Sequence, residues 1–228
     1  MRIHYIQHAS FEEVGVIKDW SKARDFSLSG THTYKGEILP DVESFDMLVI
    51  MGGPQGPDEV EEFPYLADEM TLIKQAIAAD KHVIGFCLGA QLIGATLGAP
   101  VDRSPEKEIG VYPITLTKEG LRDPLFDDFG PAFPVIHWHN DMPGLADGAT
   151  LLAHSAGCPR QAIRYRPKVY GLQFHMEITK DLMAGMIHQC PSDLAPSTYT
   201  QTAEQLLTQD YDSINQKMWA VLDRLMVL

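Results

Sequence analysis

The chain has 228 residues, 45% apolar and 21% charged, with a mean hydropathy of −0.12, values that fit one globular domain with a substantial core. Its 18 basic and 31 acidic residues leave a formal charge of −13, which argues against nucleic acid or an anionic membrane as the main partner, because both reward basic patches. Three cysteines, Cys87, Cys158 and Cys190, do not form the even, dense set of a secreted disulfide framework. With no apolar signal segment at the N-terminus, a cytoplasmic location is expected.

In chain order, Arg2–Gln7 reads as a first strand and Phe45–Met51 as a second, ended by Gly52-Gly53-Pro54. Tyr65–Ala79 reads as a helix, with Leu66, Met70, Ile73 and Ile77 on one face. Lys81–Phe86 returns as a strand and Leu88–Leu97 as the next helix. The stretch from Val83 to Val101 contains no charged residue, but four glycines, Gln91 and Pro100 make it a poor membrane span. It is better read as a buried strand running into a buried helix. Beyond Gly110 the pattern turns β-like, with runs at Val111–Leu116, Phe133–Trp138, Thr150–His154, Gln161–Arg164 and Val169–Phe174. These suit an antiparallel layer or the far half of a sheet. Cys190–Thr200, rich in Pro, Ser and Thr, reads as a connector. After it Leu207, Tyr211, Ile214, Met218, Val221, Leu225 and Leu228 form an apolar stripe for one helix face. That helix packs on the body or forms a dimer seam. The predicted division is therefore residues 1–189 as the main domain and 190–228 as connector and terminal helix.

The segment Val83-Ile84-Gly85-Phe86-Cys87-Leu88-Gly89-Ala90-Gln91 carries the chemistry. A strand enters Cys87 and a helix leaves it, with Gly two residues before and two after, the pattern of a nucleophile elbow. A helix N-terminus favours a thiolate, and the N–H of Leu88 faces the space where an oxyanion would form. His175 and Glu177, two apart at a strand end in Gly171-Leu172-Gln173-Phe174-His175-Met176-Glu177, leave on the same side. They supply a base and the group that orients it. Met51-Gly52-Gly53-Pro54-Gln55-Gly56-Pro57 lets backbone amides approach a ligand, and it lacks the lysine and hydroxyl of a phosphate loop. His137-x-His139 puts two imidazoles on one strand face, but a zinc site needs a third ligand and the sequence nominates none.

Taken together, the three segments resemble the class I, triad-type glutamine amidotransferases, and most nearly stand-alone proteins similar to the amidotransferase domain of GMP synthase. The resemblance runs from about Phe45 to Glu177. Glu62-Phe63-Pro64-Tyr65-Leu66, Lys107-Glu108-Ile109-Gly110 and Trp138-His139-Asn140-Asp141 add to it. It implies a flavodoxin-like α/β sandwich of three layers, with a mostly parallel central sheet and a C-terminal helical appendage. It implies Cys87 as nucleophile, His175 as general base and acid, and Glu177 as the carboxylate that orients it. The oxyanion hole would be the N–H groups of Gly53 and Leu88. Gly52, Gln91, His139, Asn140 and Asp141 would bind the substrate's amino-acid end, although the family often has Gly where Asn140 stands.

The implied reaction is hydrolysis of the glutamine γ-amide through a Cys87 thioester, with no metal or organic cofactor. Since the last segment shows no nucleotide-binding motif, the ammonia acceptor is expected on a partner protein. Two other readings stand beside it. One is a γ-glutamyl peptidase or hydrolase using the same triad, and the other a non-catalytic regulatory or binding protein on this scaffold. Cys158 and Cys190, without an elbow or carboxylate partner, are expected to be structural.

Overall fold

Five short strands form the half of the sheet that holds the site. In the computed structural model, which describes residues 1–228, β1 (Arg2–Gln7), β2 (Ser27–His32), β3 (Met47–Ile50), β4 (His82–Phe86) and β9 (Val169–Leu172) lie parallel in the order β2-β1-β3-β4-β9. This is the doubly wound order of a flavodoxin-like sheet. β3, with four apolar residues in a row, is buried throughout, as a central parallel strand requires. α1 (Ile17–Ala23), α2 (Tyr65–Ala78) and α3 (Leu88–Thr96) connect the parallel strands or follow them. The two core clusters lie on opposite faces of the sheet. One contains Trp20, Ile84 and Phe86, and the other Leu66, Ile73 and Leu92.

Beyond β9 the sheet continues antiparallel through β8 (Ala162–Arg166) and β7 (Thr150–His154) to β5 (Asp102–Leu116). β5 forms a long antiparallel pair with β6 (Ala132–Met142) and is flanked by the two-residue β10 (Tyr199–Thr200), giving ten strands in all. Five of the pairings are parallel and four antiparallel. The sequence expectation of strands in this region holds, but β5 starts at Asp102 rather than Val111. Its first half, Asp102-Arg103-Ser104-Pro105-Glu106-Lys107, is polar and mostly exposed, with a register shift between Arg103 and Glu108. Apolar alternation therefore could not reveal it. β2 escaped notice for the same reason, because Ser27-Leu28-Ser29-Gly30-Thr31-His32 is a half-exposed edge strand.

The C-terminal segment departs from the single-helix reading. A capping box, Thr202 with Gln205, starts α5 (Ala203–Leu207), and the Asp210 side chain caps α6 (Tyr211–Leu225) through the Ser213 N–H at 3.1 Å. Leu207 thus lies on a different helix from Tyr211, Ile214, Met218, Val221 and Leu225, and Leu228 falls beyond the end of α6. Tyr211, Ile214, Met218, Val221 and Leu225 are buried in the main core. α6 is tied to α1 by the Trp20 indole N–H donating to Asp223 at 2.9 Å. α4 (Lys180–Gln189), begun by a Thr179 cap, completes the helices. No helix is long and apolar enough to cross a membrane; Val83–Val101 divides between β4 and the nine-residue α3.

Candidate active site

The carboxyl ends of β3, β4 and β9, neighbours in the parallel sheet, bring the three sequence segments together, the place where open α/β sheets bind ligands. Cys87 stands between β4 and α3 with φ 49° and ψ −108°, a backbone state that non-glycine residues rarely adopt. Its N–H donates to Leu172 O at 2.9 Å, which anchors the elbow to the end of β9. Crowding explains both flanking glycines. A Cβ on Gly85 would stand 2.4 Å from the Gly89 carbonyl, and one on Gly89 would stand 2.2 Å from Ile50 O.

His175 follows β9 and is held at the backbone by Ile136 of β6, with N–H···O distances of 2.8 and 3.0 Å. Its Nδ1 lies 2.6 Å from Glu177 Oε1, while Glu177 Oε2 accepts the Met176 N–H at 3.0 Å. All of these side chains are buried. His175 Nε2 has no hydrogen-bond partner, and the Cys87 side chain is close enough to influence its protonation. Burial alone would disfavour the imidazolium. The charge of Glu177, the contacts with Cys87 and Glu177, and the more distant Glu12 outweigh it, holding the His175 pKa well above its ordinary value. The Cys87 thiol also contacts Trp138 O at 3.7 Å.

A cleft of about 260 Å³ opens over Cys87, lined by Gly53, Gln91, His139, Asn140 and Asp141 from the sequence-predicted set. Gln91 is fixed by donating to Gln173 Oε1 at 3.0 Å. Asp141 pairs with Arg103 at 3.2 Å, and its carbonyl is 3.1 Å from His139 Nδ1. Gly52 does not line the cleft. Its carbonyl is engaged by His8 and its Cα faces Glu12, so it serves the loop rather than a substrate surface. The N–H groups of Gly53 and Leu88 donate to no group in the protein. Leu88 leaves its N–H free as the first residue of α3, as helix geometry dictates.

The structure adds residues that sequence reasoning passed over. Glu12 is buried at the cleft floor, and its pKa is raised, chiefly by burial and further by Glu177, against the opposing pull of His175 and His8. Asp193 and Cys190 reach the cleft from the segment read as a connector, with Asp193 held by the Trp138 indole N–H at 2.9 Å. Cys190, expected to be structural, is thus a cleft-lining thiol. His8, whose ring engages the Gly52 carbonyl, carries one sequence signal, its position directly after β1 at the carboxyl end of a parallel strand. Nothing local marks Glu12 or Asp193.

His137 and His139 also gain the third neighbour that the sequence could not nominate. Glu108 Oε2 lies 3.2 Å from His139 Nε2 and 3.7 Å from His137 Nδ1. The Gln161 amide nitrogen sits among them, 2.7 Å from the carboxylate and 3.3 Å from each imidazole, and the Ser155 hydroxyl donates to Glu108 at 2.7 Å. Burial pushes the His137 pKa down to about 3 despite Glu108 nearby. The result is a hydrogen-bonded polar cluster that fixes the β6 wall of the cleft, with Trp138 and His139 on it.

Comparison with known proteins agrees with this fold. The family model of glutamine amidotransferase class-I matches residues 24–189. The glutamine amidotransferase-like protein YfeJ of Salmonella typhimurium is 48% identical over 232 residues, covering 99% of this chain and 97% of that protein. A glutamine-hydrolyzing GMP synthase subunit from Ignicoccus hospitalis is 28% identical over 152 residues, covering 66% of this chain and 76% of that one. The crystal structure of a glutamine amidotransferase from Thermotoga maritima superposes with a TM-score of 0.89 at 28% identity, covering 99% of this chain and 97% of that chain. The chain belongs to the class-I glutamine amidotransferase family.

Proposed function

We propose that the protein hydrolyses the γ-amide of glutamine through a thioester on Cys87. The observation that carries this reading is the buried line from Glu177 to His175, 2.6 Å at its first step, ending on an unpartnered Nε2 beside the elbow thiol. The Cys87 thiolate attacks the γ-carbonyl, and the oxyanion accepts hydrogen bonds from the N–H groups of Gly53 and Leu88. His175, kept protonated by Glu177, gives its proton to the departing nitrogen as the C–N bond breaks, releasing ammonia. The neutral imidazole then takes a proton from water. The resulting hydroxide attacks the thioester, and glutamate leaves as the thiolate is restored.

Gln91, His139, Asn140 and Asp141 hold the substrate's amino-acid end in this reading. Residues 1–189 form the catalytic domain and residues 190–228 its brace, and a partner protein consumes the ammonia. Glutamate release by purified protein and by Cys87→Ala, with glutamine and a γ-glutamyl peptide in parallel, tests it. Cleavage of glutamine that Cys87→Ala abolishes is the expected result. Cleavage of the peptide alone replaces the reading by a γ-glutamyl peptidase, and activity retained in Cys87→Ala removes the nucleophile.

A further inference from the structure

Sterics reserve both positions of the Gly52–Gly53 peptide for glycine. A Cβ on Gly52 would stand 2.8 Å from Glu12 Oε2. One on Gly53 would stand 2.7 Å from the His8 Cβ and 2.9 Å from Leu88 Cδ2. Both positions exclude a side chain, and two adjacent glycines leave the intervening peptide plane easy to rotate. Rotation matters because the peptide is planar and trans, so its N–H and C=O point to opposite sides. One orientation turns the Gly53 N–H toward the cleft. The reverse turns the Gly52 carbonyl oxygen there, where it would repel an oxyanion.

Behind this peptide lies a pair of buried ionisable groups outside the Cys87-His175-Glu177 line. His8 Nε2 is 2.7 Å from Glu69 Oε2, and neither side chain has solvent contact. His8 Nδ1 is 3.0 Å from Gly52 O. A carbonyl oxygen only accepts, so Nδ1 carries a proton whichever partner holds the proton between His8 and Glu69. The fully buried carboxylate fixes the ring, and the ring holds the carbonyl. Burial works against the imidazolium of His8, but the Glu69 charge and hydrogen bond, with the Gly52 carbonyl, raise its pKa overall. Burying such a pair is costly compared with apolar side chains of similar volume.

We infer that Glu69 and His8 form a positioning pair that clamps the Gly52 carbonyl and thereby aims the Gly53 N–H into the oxyanion hole. The inference rests on the glutaminase reading for its catalytic consequence, while the clamp itself is a structural statement. His8 and Glu69 touch no substrate and act through the peptide. Their loss is felt where negative charge develops on oxygen, and not where the thiolate reacts without an oxyanion.

The test compares wild type, His8→Leu, the double variant His8→Leu/Glu69→Leu, which leaves no buried charge unpaired, and His8→Asn, whose amide can still donate to Gly52 O. With glutamine, kcat is expected to fall about 10²–10³-fold in the leucine variants, the usual cost of one oxyanion donor. KM should stay within a few-fold, with largely restored kcat in His8→Asn. Alkylation of Cys87 by iodoacetamide, which forms no oxyanion, should proceed at the wild-type rate. Equal losses in alkylation and turnover, or a kcat within two-fold of wild type in a folded leucine variant, would overturn the inference. Crystal structures of wild type and the double variant decide the clamp independently of activity. A rotated or divided Gly52–Gly53 peptide in the variant supports it, and a single unchanged orientation overturns it. Absence of turnover by wild type on both glutamine and the γ-glutamyl peptide would strike the glutaminase reading instead, with the crystal structures still deciding the clamp.

Discussion

The imidazole of His175 is controlled by more than the carboxylate it touches. Glu177 supplies the direct hydrogen bond, and Glu12 adds a second negative charge at the cleft floor. Removing the Glu12 charge should make the imidazolium easier to deprotonate. In Glu12→Gln the alkaline limb of glutamine turnover is therefore expected to move to lower pH, because in the proposed mechanism His175 carries the proton that leaves with ammonia. An alkaline limb that stays in place would show that Glu12 is not electrostatically coupled to His175. At this scale the sequence was legible where chemistry is local. Gly85, Cys87 and Gly89 announce an elbow within five residues, and His175 with Glu177 need only the alternation of an extended segment. Glu12, His8 and Glu69 were not legible, since their relevance depends on the His8–Glu69 contact, 61 positions apart, and on the charges of His175 and Glu177 near Glu12, far along the chain, separations no local period records.

Among the elements, α6 does more than cover an apolar face. The Asn215 side chain donates to Met176 O at 2.8 Å and to Ile178 O at 3.0 Å, on either side of Glu177. The Val16 N–H donates to the Glu177 carbonyl at 3.0 Å from the α1 side. The segment bearing His175 and Glu177 is thus braced from two helices. Replacing Asn215 by Leu strands two buried carbonyls, which costs about 1–3 kcal/mol. Chemical denaturation should show that loss, and kcat should fall with it because Glu177 loses its support. A loss well under that range would mean that water satisfies the carbonyls. The heptad spacing of the C-terminal stripe suggested a helix face but did not reveal the break after Leu207. Capping by Asp210, a local side-chain hydrogen bond, overrides an apolar period that runs on through the sequence.

For the molecule as a whole, acid should loosen the fold before carboxylates titrate. Burial holds the His4 pKa down to about 4 and that of His137 down to about 3. In the unfolded chain both take a proton near pH 6.5. Between those limits the unfolded state binds more protons, so stability falls as pH falls, each group adding up to about 1.4 kcal/mol per pH unit. His8 and His175 have raised pKa values, so both states are protonated below pH 6.5, where their stabilisation is fully present and adds nothing to the slope; it fades on the alkaline side. Glu12, whose pKa is raised, opposes the trend, and Asp46, lowered to about 2 first by Arg2, extends it at the acid end. Urea midpoints measured from pH 7 to pH 4 are expected to decline steadily, and a flat profile would contradict the buried neutral state of these histidines.

Sequence alone determined the class of fold, the elbow, the pairing of His175 with Glu177, and the family resemblance, because each is written in spacings of two to four residues that backbone geometry converts directly into shared faces and tight turns. Tertiary structure decided the rest. It extended the sheet through polar strands whose partners lie far away in the chain, and it divided the terminal stripe between two helices. It surrounded His137 and His139 with Glu108, Gln161 and Ser155. It also set a buried His8–Glu69 pair behind the Gly52–Gly53 peptide. Those features arise when distant segments pack and desolvate the same charges, and only the folded chain brings them within hydrogen-bonding distance.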